Sequence, residues 1–193
     1  MKAKPLSFGS CTSKGLESYR LTGSVDEAMK AFSNAWEKDG KVLLVELDPD
    51  NPKDFRTVKR GLQLMKEYAE EYPDDPSQVV GSKSPEGERG AEIKFDDIYL
   101  GIVNGTEIFL RGRIDGIFKV GDDIYIVEDK TTSRLGETFL QILRDSLQIN
   151  IYLWVADMLG LFTVGDKKKT PKCLMNAMRV HPTEFKFKRD VAT

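Results

Sequence analysis

The sequence predicts an α/β domain in which a mixed sheet, begun by an antiparallel meander, is flanked by helices. Three observations predict it. Apolar residues recur with helical spacing over residues 24–40 and 54–72. From Ala91 the period changes to two, with Asn104-Gly105 marking a tight hairpin. A helical stretch over residues 138–160 is then followed by "CLMNAMRV", which alternates again.

Taken in order, Ser24 and Glu27 have the spacing of a capping box. Val25, Ala28, Met29, Phe32, Ala35 and Trp36 form the apolar stripe behind it, and Gly40 is the expected stop. The second helix is expected over 54–72, with Phe55, Val58, Leu62, Met65, Ala69 and Tyr72 inward. Arg56, Lys59, Arg60 and Gln63 lie off that stripe and give its first two turns a basic surface. Residues 73–90 are rich in turn formers and read as a surface loop. "AEIKFDDIYLGIV" reads as a strand bulged near Asp96 and Asp97, "EIFLRGRIDGIFKV" as its hairpin partner, and "IYIVEDK" as a third strand after a second turn. Residues 138–160 form one broken helix or two consecutive ones, and "CLMNAMRV" is expected to join the same sheet.

The bulk properties bound the function. A chain of 193 residues, 40% hydrophobic and 31% charged, is expected to fold as one soluble globular domain. With a net charge of −2 and a pI of about 5.6, no global basic field advertises nucleic acid, so phosphate contacts must be local. Candidates are Arg56, Lys59 and Arg60, and the run Lys167, Lys168 and Lys169, although such groups are more often a solvated face than a DNA contact. Cys11 and Cys173 lack metal or disulfide spacing. No apolar run is long enough to span a bilayer and the start lacks a secretory core, so the expected location is the cytoplasm. Asn104-Gly105-Thr106 fits a glycosylation acceptor but is a hairpin turn. Residues 160–167 have P-loop spacing until Asp166 intrudes before the lysine, where its charge would repel phosphate.

The third strand carries the chemical signal. Strand interiors disfavour Asp, Glu and Lys, yet Asp115 stands in one apolar strand and Glu128, Asp129 and Lys130 in the next. Alternation puts Glu128 and Lys130 on the face of Ile124 and Ile126, and Asp129 on the other, where solvent exposure or a helix cap is expected. If Asp115 shares the face of Glu128, two carboxylates and an ammonium converge. A divalent cation would relieve the carboxylates' repulsion, and Lys130 could hold a phosphate oxygen or the attacking water. That is the logic of metal-assisted phosphodiester hydrolysis. His181, the single histidine, lies far off in sequence and is not expected to be a general base.

"GRIDGIF", "YIVEDKTTS" and "QINIY" in this order resemble the core of the PD-(D/E)XK nuclease superfamily, and most closely the branch containing the RecB nuclease domain and phage exonucleases. The resemblance implies that Asp115 and Glu128 bind the metal, with the backbone carbonyl of Asp129 as a third ligand. Lys130 would position water or stabilise charge. Gln148 and Tyr152, four residues apart on a helix, would orient the lysine or the DNA backbone. Glu92 matches an acidic residue of the branch's first strand and divides evenly between a metal-site and a surface role. "FGSCTSKGLESY" resembles the branch's first helix, with Ser13 in place of its His and Glu17 matching its Glu.

The resemblance therefore implies a restriction-endonuclease-like core and a Mg²⁺-dependent deoxyribonuclease in which Mn²⁺ substitutes. An exonuclease of phage-type recombination or repair is favoured over an endonuclease of restriction type. DNA, and a recombination or single-strand-binding protein, are the expected partners. An iron–sulfur cluster is excluded, because it needs four cysteines. The chain is expected to be short at its N-terminus compared with the branch. The alternative from another class is a weakened nuclease fold that binds DNA or protein without cutting.

Overall fold

The computed structural model describes residues 4–38, 56–79, 91–164 and 166–193, without the side chains of residues 4–6, 91, 92 and 164. Three helices come first: α1 (Lys4–Thr22), α2 (Val25–Lys38) and α3 (Val58–Glu71), followed by a single turn, α4 (Asp75–Gln78). The meander is β1 (Ala91–Val103), β2 (Thr106–Val120) and β3 (Asp123–Thr132). Two consecutive helices, α5 (Glu137–Arg144) and α6 (Leu147–Met158), lead through a small hairpin, β4 (Thr163–Val164) and β5 (Lys167–Lys168), to β6 (Cys173–Val180) and β7 (Phe185–Ala192).

The main sheet has the order β1-β2-β3-β6-β7. Only the β3–β6 pairing is parallel. A parallel neighbour cannot be reached by a tight turn, and α5 and α6 make the crossover. Asn104 (φ 51°) and Gly105 (φ 77°) both adopt the left-handed conformation that a type I′ turn demands. The register of β1 slips between Phe95 and Ile98, where Asp97 has φ 58°, and again between Tyr99 and Gly101. One core lies between the sheet and α6, around Ile117, Ile126, Leu153, Val155 and Met175. A second joins α1, α2 and α3 to β6 and β7, around Phe8, Phe32, Leu64, Tyr68 and Met178.

Several sequence expectations change in detail. The Ser24 hydroxyl caps α2 by accepting from Glu27 N–H at 3.3 Å, but the Ser24 N–H donates to the Thr22 hydroxyl at 3.1 Å and not to Glu27. Helix α3 starts at Val58 because Thr57 is extended (φ −114°, ψ 165°) and caps it, accepting from Arg60 N–H at 3.2 Å. Arg56 therefore precedes the helix, while Asp54, Phe55 and the Gly40 stop lie outside the described residues. The buried stripe of α3 is rotated to Gly61, Leu64, Met65, Tyr68 and Ala69. Gly61 sets the rotation: a Cβ there would come within 2.0 Å of the Phe32 ring, so the helices approach where sequence patterning counts no apolar residue. The expected surface loop contains α4, whose Asp75 is buried. Strand β7 has no counterpart in the sequence expectation, since charged residues interrupt its alternation after Phe187.

Candidate functional site

The candidate site sits where β2 and β3 part. Their pairing runs from Val120↔Asp123 to Gly116↔Val127 and stops. Beyond it, β2 continues beside β1 (Ile93↔Ile114) and β3 beside β6 (Glu128↔Met175, Lys130↔Ala177). The next positions past the fork, Asp115 and Glu128, thus face each other across a gap that no ladder bond closes. Asp115 turns into it, its Oδ2 accepting from the Asp129 backbone N–H at 2.9 Å.

Lys130 forms an ion pair with Glu128 Oε1 and donates to Gln148 Oε1 at 3.0 Å. Gln148 Nε2 in turn donates to the Tyr152 hydroxyl at 3.1 Å. Both belong to α6, which Ser146 caps by accepting from Ile149 N–H at 3.3 Å. The opposite wall is α1, where Gly9, Ser10, Thr12 and Ser13 complete a cleft of about 360 Å³ shared with Asp115, Glu128, Lys130 and Gln148. Gly9 permits this approach, since a Cβ there would lie 3.3 Å from the Thr131 hydroxyl.

Electrostatically the cleft is short of positive charge. Burial, reinforced by the charges of Asp129 and Glu128, pushes the Asp115 carboxyl up to about 8, against the pull of the Asp129 N–H and Arg20. Burial also raises Glu128, opposed by Lys130. For Lys130 burial acts downward, but the Glu128 carboxylate outweighs it and keeps the ammonium charged. Glu128 Oε2 is buried with no hydrogen-bond partner. An orphaned carboxylate oxygen in a cleft lined also by the half-buried Asp115 carboxyl fits a hard divalent cation, which takes oxygen ligands of this kind. Among the described residues no group of three His, Cys, Asp or Glu side chains could hold a metal, so the described side chains offer Asp115 and Glu128. Glu92 lies on β1 between Ala91 and Ile93, which pair with Gly116 and Ile114; its backbone is level with Asp115, and its side chain is outside the described residues.

Asp129 overturns its expectation of exposure or helix capping. Its carboxylate is buried and bound by the two terminal guanidinium nitrogens of Arg20, at 2.6 and 2.8 Å. Asn176, its register partner on β6, donates to it at 2.7 Å. Tyr68 joins the cluster, accepting from Arg20, Asn176 and Arg189 and donating to Asp75 at 2.6 Å, while Arg189 pairs with Asp75 at 2.6 Å. Sequence reading misses Arg20, Tyr68, Asp75, Asn176 and Arg189. The signal for Asn176 is present: an amide at the centre of an apolar strand demands partners.

The remaining candidates lie away from the cleft. Glu17 pairs with Lys14 at 2.8 Å. Arg60 donates to the His181 carbonyl at 2.5 Å, and its guanidinium lies 3.9 Å from the Phe185 ring centroid. Lys168 pairs with Asp157 at 2.8 Å, and Lys167 and Lys169 flank it at the β4–β5 hairpin. Arg56, which precedes α3, Lys59, in its first turn, and His181, at the β6–β7 turn, also do not line the cleft.

The sequence profile of the PD-(D/E)XK nuclease superfamily matches residues 4–186, so the chain belongs to that superfamily. No curated protein matches it. No helix among the described residues is long and apolar enough to cross a membrane.

Proposed function

From membership of that superfamily we propose that the chain is a divalent-metal-dependent deoxyribonuclease acting at the β2–β3 fork. The observation that carries this reading is the buried Glu128 Oε2, which has no hydrogen-bond partner and belongs to the same cleft as the Asp115 carboxyl. Asp115 and Glu128 hold the metal, with the Asp129 backbone carbonyl as a third ligand and Glu92 as a further candidate. Mg²⁺ is the expected ion and Mn²⁺ its substitute. Bound there, the metal supplies a Lewis acid that activates water and neutralises charge growing on the phosphate. Lys130 keeps its proton and presents a fixed ammonium to that charge. Gln148, accepting from Lys130 and bonded to Tyr152, fixes the direction of the ammonium. This Gln148–Tyr152 link supports the branch of RecB-like and phage-type exonucleases, and with it a role in recombination or repair alongside a single-strand-binding or recombination protein.

Digestion of end-labelled linear DNA and closed circular DNA, with Mg²⁺ and with chelator, tests the proposal. Metal-dependent loss of linear DNA that spares the circle, and is abolished in Asp115→Ala, is the expected result. A second reading, binding without cutting, is favoured by Ser13 in the cleft wall, where the branch carries His. It gains the field if wild type binds DNA but cuts neither form in Mg²⁺ or Mn²⁺.

A further inference from the structure

Past the fork, one edge of β3 loses its neighbour. The Ile126 N–H donates to the Lys172 carbonyl, just before β6, at 3.0 Å. The even-numbered residues of β3 therefore turn their backbone groups toward β6, and the odd-numbered ones turn theirs toward β2. Val127 still meets β2, at Gly116. Asp129 is the next residue of that set, and the β2–β3 pairing has ended before it. Its N–H reaches the Asp115 carboxylate instead, at 2.9 Å, and its carbonyl faces the same gap.

No ladder bond thus holds Asp129 on the side of the cleft. It is held by its side chain, on the opposite face of the sheet. The two terminal guanidinium nitrogens of Arg20 donate to the carboxylate at 2.6 and 2.8 Å, and Asn176 Nδ2 donates to it at 2.7 Å. Tyr68 accepts from Arg20 at 3.2 Å and from Asn176 at 3.0 Å, which ties the two donors together. Arg20 also lies against the other prong of the fork, its guanidinium carbon 5.1 Å from the centroid of the Phe118 ring of β2.

Packing alone does not require this arrangement. A pair of apolar side chains would cover the same face without desolvating two charges. What the ion pair adds is direction, because two parallel N–H bonds to one carboxylate fix its plane. With its side chain held by Arg20 and Asn176 together, Asp129 has little freedom to turn its main chain, and its N–H stays aimed at Asp115.

We propose that Arg20 and Asn176 are positioning residues for the metal site: by clamping the Asp129 side chain from behind, they hold its backbone at the fork and so aim Asp115 at the cation. They touch neither metal nor substrate. The metal in this role rests on the nuclease reading, whereas the hydrogen bond from Asp129 to Asp115 belongs to the protein without metal. Groups that hold metal ligands in place contribute about 10–100-fold to metal affinity.

Arg20→Lys keeps a buried cation but replaces the two-pronged grip with a single donor point. Amide hydrogen exchange of the metal-free protein, and Mn²⁺ binding read by electron paramagnetic resonance, are measured for each variant. In Arg20→Lys the Asp129 amide should exchange faster than in wild type, with the Val127 amide, which the β2 ladder holds, unchanged. The Mn²⁺ dissociation constant should rise about tenfold or more. Leu64→Ala, in the helical core, loosens the fold without touching Asp129 and should leave Mn²⁺ affinity at the wild-type value. If Arg20→Lys does not fold, Asn176→Ser removes a neutral donor and should give the same two changes at smaller size. An Asp129 amide as protected as in wild type, or Mn²⁺ binding no weaker than in Leu64→Ala, overturns the proposal. Failure of the nuclease reading looks different: wild type and Asp115→Ala would take up Mn²⁺ alike, and the proposal falls with it even where the Asp129 amide responds.

Discussion

Arg20 of α1 and Asp129 of β3 form a two-pronged ion pair, at 2.6 and 2.8 Å, with both side chains almost wholly removed from water. The pair lies directly behind the cleft, because the backbone N–H of the same Asp129 donates to Asp115. Desolvating two charges costs about what their attraction returns. The pair therefore specifies how α1 docks on β3 more than it stabilises the fold.

That asymmetry has a measurable consequence for stability. Arg20→Met leaves Asp129 buried without its cation and should cost about 3–5 kcal/mol. Arg20→Met/Asp129→Asn removes both charges and should regain most of the loss. Urea unfolding of the three proteins measures this. A double variant no more stable than Arg20→Met would show that the pair's own attraction, and not the stranded carboxylate, dominates.

The Asp115 carboxyl gives a pH dependence with a defined sign. Burial first, then the charges of Asp129 and Glu128, push it up to about 8, while the Asp129 N–H and Arg20 oppose them. In the unfolded chain it titrates near 3.8. Its contribution to the metal-free fold is thus complete below about pH 4 and is lost as pH rises through about 8. Asp115→Asn keeps an acceptor for the Asp129 N–H but does not titrate, so its melting temperature should gain on wild type steadily from pH 4 to pH 8. Metal must displace the same proton, and Mn²⁺ should raise the wild-type melting temperature far more at pH 8 than at pH 6. An equal rise at both would place the metal elsewhere.

The contrast between Asp115 and Asp129 shows what was legible in the sequence. Alternation along "YIVEDK" puts Glu128 and Lys130 on one face and Asp129 on the other, as in the fold, and the Asn104-Gly105 turn fixes the meander beside it. These are local signals, carried by spacing and backbone preference. What covers the Asp129 face is a long-range fact. It is α1, more than a hundred residues away, and the charge that satisfies Asp129 sits at Arg20 with no local mark of its partner. The rotated stripe of α3 has the same origin, since Gly61 becomes a core position only when the Phe32 ring arrives. Strand β7 escapes because Arg189 breaks its apolar alternation, and the pair with Asp75 that makes this tolerable joins distant segments.

Lys130 separates cutting from holding. Its ammonium is fixed by Glu128 and Gln148 and, in the proposed reaction, would meet a charge that grows only during turnover. Lys130→Ala should lower turnover about 10²–10³-fold, as for other lost electrostatic stabilisers. DNA affinity measured in Ca²⁺ should change only a few-fold, since uniform binding and transition-state binding separate in such a variant. Equal losses in affinity and turnover would make Lys130 an ordinary phosphate contact.

Arg60 provides the opposite case, a cation on a basic helix surface whose bonds point inward. It spans from α3 to the β6–β7 turn, donating to the His181 carbonyl and lying over the Phe185 ring, and burial lowers its pKa in spite of nearby Glu67. A hydrogen bond and a cation–π contact of this kind are together worth about 1–2 kcal/mol. Arg60→Ala should therefore lower the unfolding free energy by about that amount. A phosphate contact would instead appear in salt dependence, where each one contributes about 0.9 to the slope for duplex DNA. With its guanidinium already committed to the turn, Arg60→Ala should leave that slope where it is. A slope reduced by about one unit, with stability unchanged, would return Arg60 to the DNA interface beside Arg56 and Lys59.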